Sequence, residues 1–567
     1  MSGVKGATVA DYLVSGTPVR LQNIASMLQE VSGDYTVSHR LQRIRITRRR
    51  SEGSHPDFPR LALTPSGNGT KNGTDPHQRL SPRARKRMRV STTGWRRHWL
   101  HTVLLSAITV LAVQLTGGIA TAAPESRTDV PIDPLPVAVL PPELDPFYRA
   151  PATAIEAAAP GDILKARLIT PAALNVIPMN VDAWQVLYRT NDSHGRAIAT
   201  VTTLIKPRGP APEGGRKLLS YQVAEDSTAM YCAPSYGIQQ GSIPIFSDFV
   251  NMGEANLAVL EAVSAGYALS MPDYQGPNSA FGAAVIGGQA TLDAMRAAIK
   301  FTPLELSAGN DTRIAALGYS GGSIPTGWLA EHAEDYAPEL KIVGIGLGGV
   351  AMADLPAVIR QNNFNIGAGL IGGAFSGFAT EYPGVKQVLE TRTDWFTRFT
   401  MTMKSFLCHS PYGSATFPFW NYLGGYTGPE PGGILAEPAI VDAINENALG
   451  KQRPTVPMYV YHAQSDELIP YAGTDRLINW YCDDPGQSIT YDSEYFAEHI
   501  SGLLTWIPRA YNFVVDRLED RPAQPGCRTN KQFSTLTEGD VVDLLVQKWP
   551  ALAGLLTGQQ VGRTPGR

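Results

Sequence analysis

The stretch Arg313-Ile314-Ala315-Ala316-Leu317-Gly318-Tyr319-Ser320-Gly321-Gly322 limits this chain to few folds. An apolar run of strand length leads into Gly-x-Ser-x-Gly, and a helix-like segment follows, Ser323 to Ala333, with Pro325 near its first turn. Strand, tight turn and helix are the parts of a nucleophile elbow, which stands a serine hydroxyl clear at the end of a sheet strand. The backbone at such a turn is strained, so the residues two positions either side of the serine must lack a clashing side chain. Gly318 and Gly322 meet that need, and the amide of Gly321 lies at the helix N-terminus, placed to donate to an oxyanion. The bare pentapeptide carries little weight, because Gly and Ser are common; the strand before it and the helix after it give it meaning.

With 567 residues the chain exceeds one ordinary domain, and 43% apolar residues suffice for a large core. The net charge of -3 hides two different materials. Residues 1–101 hold 18 Lys/Arg against 6 Asp/Glu, while the remainder holds 30 against 45. An acidic body argues against a nucleic-acid partner, since phosphate binding wants a basic face. All four cysteines, Cys232, Cys408, Cys482 and Cys527, lie in the acidic part and show no Cys-x-x-Cys spacing, so no zinc site is expected. In an exported protein they read as two disulfides with three connectivities possible; sequential pairing, Cys232–Cys408 and Cys482–Cys527, is the preferred guess, and four reduced buried thiols the alternative.

Residues 1 to about 87 have little periodicity and carry Arg48-Arg49-Arg50 and Arg83-Ala84-Arg85-Lys86-Arg87. Such a segment cannot bury enough apolar surface to offset ordering entropy. It reads as disordered, or as a mistranslated extension ahead of a true start at Met88; a basic arm for nucleic acid or anionic lipid is the functional alternative. From Met88 the pattern becomes that of a signal peptide over 88–122: Arg89, Arg96 and Arg97, then no charge from Thr102 to Ala123, then the small residues Ala120-Thr121-Ala122. Arg96-Arg97-His98-Trp99-Leu100 is similar to a twin-arginine signal, with Trp95 where Ser or Thr is usual. An uncharged run of this length could instead stay as a membrane anchor, but Gly117-Gly118 and the small-residue end favour cleavage and a mature start near Ala123. Secretion or a cell-envelope location follows.

Residues 124–160, rich in Pro and Ala, lead into a βα alternation. Strands are expected at Ala197 to Ile205, Lys217 to Val223, Gly266 to Asp273, Ile342 to Leu347, Pro457 to His462 and, last, Ile489 to Tyr491. A helix is expected from Gln289 to Lys300. The body therefore reads as an α/β core over 123–354 and 451–555, with a tail at 556–567. Between its halves, 355–450 lacks the βα rhythm and contains the run Gly367 to Phe378 and Phe417-Pro418-Phe419-Trp420. A connection so long is seldom structureless. It is expected to form a mostly helical cap or lid over the carboxyl ends of the strands, where α/β sites lie; a packing subdomain without a role in access is the alternative.

A serine nucleophile on this fold needs an acid and then a histidine later in the chain. His462-Ala463-Gln464-Ser465-Asp466-Glu467-Leu468-Ile469-Pro470 supplies Asp466 after a buried strand, with Glu467 competing. Asp466 is preferred as the shorter and commoner choice. The one histidine after it is His499, in a loop-like stretch; His462 reads as a supporting strand-end residue, and His332 and His409 come too early. His499 would take the proton of Ser320 and return it to the leaving alcohol, while Asp466 steadies the imidazole.

Four motifs, Cys232-Ala233-Pro234-Ser235-Tyr236, Asp273-Tyr274-Gln275-Gly276, Gly318 to Gly322 and His462 to Pro470, resemble the secretory lipase family, the group with the yeast lipase A fold, over roughly residues 140–550. The resemblance implies an α/β-hydrolase fold, a large cap holding an acyl-chain tunnel, and hydrolysis of esters including triacylglycerols. It implies Ser320, Asp466 and His499 as the triad. It also implies Asp273 and Gly321 as oxyanion-hole residues, through backbone amides and the carboxyl of Asp273 when protonated; a turn-former after a strand is the plainer reading of Asp273. The expectation is a secreted serine ester hydrolase acting on lipid or other acyl esters, with transient contact at a lipid interface, no obligate protein partner, and no metal or organic cofactor. A short-chain carboxylesterase, an acyltransferase and a catalytically silent lipid-binding envelope protein are the alternatives; a prolyl peptidase is disfavoured, since no propeller-like repeat stands upstream.

Overall fold

The computed structural model describes residues 130–559 except 174, 244–248, 308, 409–419, 425–432, 535–549, 552 and 556. The basic segment 1–87, the signal segment 88–122, the start near Ala123, His409, Phe417 to Phe419 and most of the tail 556–567 lie outside the described residues.

In chain order the strands are β1 (Ile132–Asp133), β2 (Ile163–Leu168), β3 (Ala172–Ala173), β4 (Ile177–Pro178), β5 (Val181–Asn191), β6 (Ala197–Pro207), β7 (Leu218–Gln222), β8 (Ala268–Pro272), β9 (Ile314–Tyr319), β10 (Ile342–Gly348), β11 (Met458–Ala463), β12 (Ser488–Glu494) and β13 (Gly526–Gln532). β3 and β4 pair with each other, and the rest form one sheet in the order β1-β2-β5-β6-β8-β7-β9-β10-β11-β12-β13. Pairing is antiparallel from β2 through β5 and β6 to β8, and parallel from β8 onward to β13. The crossovers are helical: α1 (Phe249–Ser264), α2 (Ala284–Lys300) and α3 (Ser323–Tyr336) precede β8, β9 and β10, and α9 (Tyr471–Cys482) and α10 (His499–Leu518) precede β12 and β13.

Alternate residues of each central strand feed two separate cores. Leu218, Ile314, Ala316, Ile345 and Val460 pack with Leu292 and Met295 of α2 and Leu329 of α3. Leu219, Ala315, Leu317 and Tyr459 pack on the other face with Val259 and Val263 of α1 and Trp506, Ala510 and Val514 of α10. A parallel strand covered on both faces has no polar alternation, which is why these strands read as unbroken apolar runs.

The segment between β10 and β11 is helical where described: α4 (Leu355–Asn362), α5 (Ala368–Glu381), α6 (Pro383–Arg392), α7 (Trp395–Lys404) and α8 (Pro438–Asn447). The glycine-rich run 367–378 is thus the body of α5. Its Gly377 lies so close to the loop after β8 that a Cβ would stand 2.2 Å from the Phe281 carbonyl oxygen. Gln361 and Asn362 of α4 donate to the carbonyls of Asp466 and Leu468 in the loop after β11. Cys408 is bonded to Cys232, beyond β7, with Cα atoms 5.4 Å apart. Each anchor follows the carboxyl end of a strand, so the insertion stands over that end of the sheet, and Ile359, Ile371, Phe375 and Ile440 continue the core on the α2–α3 side. At the far edge Cys482 of α9 is bonded to Cys527 of β13.

Candidate active site

Ser320 closes β9 at φ 54°, a left-handed conformation that costs a non-glycine residue about 1–3 kcal/mol. Crowding holds it there. A Cβ on Gly318 would come within 2.2 Å of both Gly322 O and Thr326 Oγ1, and one on Gly322 within 2.0 Å of Gln222 O on β7. The hydroxyl of Ser323 ties the turn down by donating to the carbonyls of Ser320 and Gly349. With β7 and β10 on either side of β9, the serine emerges at the middle of the parallel half of the sheet.

His499 is the first residue of α10 rather than a loop residue; Glu498 caps the helix, accepting from the amides of Ile500 and Ser501. From there its Nε2 lies 2.7 Å from Ser320 Oγ and its Nδ1 2.7 Å from Asp466 Oδ2. The second oxygen of Asp466 accepts the amides of Leu468 at 2.9 Å and Ile469 at 2.7 Å, which fixes the carboxylate. Tyr319 adds a hydroxyl bond to the His499 carbonyl at 2.7 Å.

Burial alone would raise Asp466, but the charge and hydrogen bond of His499 carry it below its ordinary range. Burial pulls His499 down, and the charge and bond of Asp466, followed by the charge of Glu467, bring it out above its ordinary value. His462 is buried behind Asp466, with Nε2 3.0 Å from the Ile469 carbonyl and 3.5 Å from Asp466 Oδ2; burial lowers its pKa and keeps it neutral. His332 lies on α3, its ring 4.5 Å from that of Trp328, and takes no part. Glu467, the competing acid, reaches the backbone amide of His499 and not its ring. Among the described residues no group of three or more His, Cys, Asp or Glu is placed to hold a metal ion.

The assignment of Asp273 to the oxyanion hole needs correction. Its amide donates to Val201 O at 2.8 Å, and its carboxylate accepts from the amide and hydroxyl of Ser235. The amide is committed to β6 inside the sheet and the carboxylate to the turn at Ser235. Asp226, in the loop after β7, stands beside the elbow instead: a Cβ on Gly321 would be 1.9 Å from its Oδ1, so only glycine leaves room for that carboxyl. Asp226 is buried and holds φ 41°, a second strained residue next to Ser320. Gly321 itself occupies the turn after Ser320, in front of α3.

A family model described as "Secretory lipase" matches residues 247–526. Lipase 1 of Candida albicans is 32% identical over 443 residues, which cover 75% of this chain and 91% of that protein. The chain belongs to the secretory lipase family. Lipase A of Arthroderma benhamiae is 31% identical over 417 residues, covering 72% of this chain and 86% of the relative. The X-ray structure of Candida antarctica lipase A is similar with a TM-score of 0.62 and 26% identity, over 76% of this chain and 100% of that one. The fold of this secretory lipase is accordingly the α/β-hydrolase fold that the elbow and the βα alternation lead one to expect.

Sequence reasoning passed over Asp226. The signal was present in Ala224-Glu225-Asp226-Ser227, acids just beyond the apolar strand Lys217 to Val223. In the secretory lipase that strand, β7, pairs directly with the elbow strand, so an acid past its end lies at the switch region where α/β sites form. Linear sequence does not say that β7 and β9 are neighbours. Asp273 follows β8, one strand further out.

Proposed function

We propose that this chain is a secreted serine hydrolase of lipid acyl esters that works through an acyl-enzyme. The observation that carries the reading is the unbroken chain of two 2.7 Å contacts from Asp466 through His499 to Ser320. In the first half-reaction His499 Nε2 takes the hydroxyl proton as Ser320 Oγ attacks the ester carbonyl, then gives that proton to the leaving alcohol. In the second it activates water, which frees the acid and restores the serine. Asp466 holds the ring by Nδ1 and stabilises the imidazolium. The Gly321 amide donates to the oxyanion. A carboxylate beside an oxyanion would repel it, so Asp226 serves as the second donor in its protonated form.

A lipid substrate is favoured by the names of the relatives and by the apolar interior of the insertion, where Leu355, Ile359, Ile371, Phe375, Val385 and Ile444 surround a small cavity. The cavity as it stands has room for little more than a water molecule, so residues 355–450, acting as a cap on a core of 123–354 and 451–555, part to admit an acyl chain. Residues 88–122 direct export, as befits a secretory family. Hydrolysis of p-nitrophenyl esters of rising acyl length by wild type and Ser320→Ala tests the reading. Loss of at least 10³-fold in kcat with an unchanged melting temperature, and a wild-type preference for long chains, are expected. Hydrolysis surviving in the variant overturns the mechanism, and a preference for acetate or butyrate makes the enzyme a short-chain esterase.

A further inference from the structure

Next to Asp466 stands a carboxylate that the mechanism above leaves unused. Glu467 Oε2 accepts the backbone N–H of His499 at 3.0 Å. That N–H belongs to the first turn of α10, whose amides have no partners within the helix. Glu467 takes the first of them, and Glu498 the next two, from Ile500 at 2.8 Å and Ser501 at 2.8 Å. A helix N-terminus carries about half a positive charge, which works against a cation on its first residue. The reaction asks for the opposite, since His499 becomes a cation each time Ser320 attacks.

We propose that Glu467 is a positioning residue for His499, clamping the backbone of the histidine itself and setting a negative charge at the helix end that offsets the dipole and favours the imidazolium. The inference rests on the reading of Ser320, His499 and Asp466 given above. Asp466 and Glu467 leave one tight turn in different directions: one carboxylate holds the ring, the other the main chain. The remaining groups facing His499 are Asp226 across the serine, Glu498 at the cap, His462 behind Asp466, and the phenol of Tyr319 on its carbonyl. Burial opposes the charged ring; Asp466 and then Glu467 favour it, and Asp226, protonated when it donates to the oxyanion, adds no charge at that step. Glu467 is solvent-exposed, so its effect is screened by water and salt and must be modest.

The test is the pH profile of kcat/KM on a soluble p-nitrophenyl ester, at low salt and at 1 M NaCl, for wild type, Glu467→Gln and Glu467→Ala, with Ser320→Ala alongside. A base must be neutral, so removing the negative charge moves the acid limb to lower pH. For an exposed charge at this range the shift is about 0.3–0.5 pH unit at low salt, and it shrinks at 1 M. Glu467→Gln keeps an acceptor for the amide, so its plateau kcat stays within about twofold of wild type. Glu467→Ala shows the same shift with kcat lowered about fivefold at unchanged KM, because the backbone clamp is gone. A limb in Glu467→Gln that overlies wild type, or moves upward, overturns the proposal. Because Ser320→Ala must be inactive for the triad to stand, persistent hydrolysis there condemns the underlying mechanism, whereas an inactive Ser320→Ala with an unmoved limb condemns Glu467 alone.

Discussion

Ser320 and Asp226 both hold positive φ values, and they face each other across Gly321, which has no side chain. Strain at two adjacent points is what a preorganised site costs, and the surrounding packing enforces it. The chemistry proposed for Asp226 gives a direct prediction. Asp226→Asn keeps a hydrogen-bond donor and should retain much of its activity, whereas Asp226→Ala should lose about 10²–10³-fold in kcat, the usual cost of one oxyanion donor. Steady-state kinetics on one ester decides it; equal losses in both variants would make the carboxyl itself, not its donor capacity, the requirement. At this scale the sequence was partly legible. Ser320, Asp466 and His499 come together as the order nucleophile, acid, histidine requires. The role proposed for Asp226 is hidden in the sequence because it depends on which strands are neighbours, and Asp273 invites the same reading because it too follows a buried strand, one place further out.

Among the elements, those covered on both faces were the most readable, and the failures have physical causes. β5 went unread because Gln185 and Thr190, though polar, are fully buried and paired, Gln185 with Tyr148 and Ser235 and Thr190 with Asp293, which erases the apolar pattern. β13 is an edge strand with exposed Arg528, Thr529, Asn530 and Lys531, so it carries no hydrophobic signal. α2 begins at Ala284, five residues before the expected Gln289, because Gly287 and Gly288 look like helix breakers. They are there for close packing: a Cβ on Gly288 would stand 2.0 Å from the Trp328 ring of α3. The disulfides also act on elements. Cys232–Cys408 spans 176 residues and Cys482–Cys527 spans 45. If loop closure dominates, replacing the first pair by serines should cost about 1 kcal/mol more stability than replacing the second. Urea unfolding of the two double variants under non-reducing conditions measures the difference, and a larger loss for the shorter loop would mean that local packing at β13 outweighs chain entropy.

For the molecule as a whole, the buried acids near the site set a pH dependence of stability. Burial pushes Asp273 up to about 7 against the opposing bonds from Ser235. Burial likewise raises Glu225, helped by the charge of Asp273. A group whose folded pKa is raised contributes stability that is whole below its unfolded value, 3.8 for Asp273, and is lost as pH rises through about 7. Asp466 runs the other way, stabilising above its unfolded value and losing that contribution as pH falls through its lowered folded one. Asp273→Asn should therefore lose less melting temperature than wild type between pH 5 and pH 8 in calorimetry; identical slopes would show that Asp273 does not titrate in that window. The same region carries a mechanical constraint. The bond from Cys232 to Cys408, with the hydrogen bonds from Ser227 to the Leu407 carbonyl and from Tyr231 to the Phe406 carbonyl, bolts one corner of the cap to the loop that bears Asp226. That bond makes this corner of the insertion and the loop that bears Asp226 neighbours that cannot part, so whatever shifts one shifts the other.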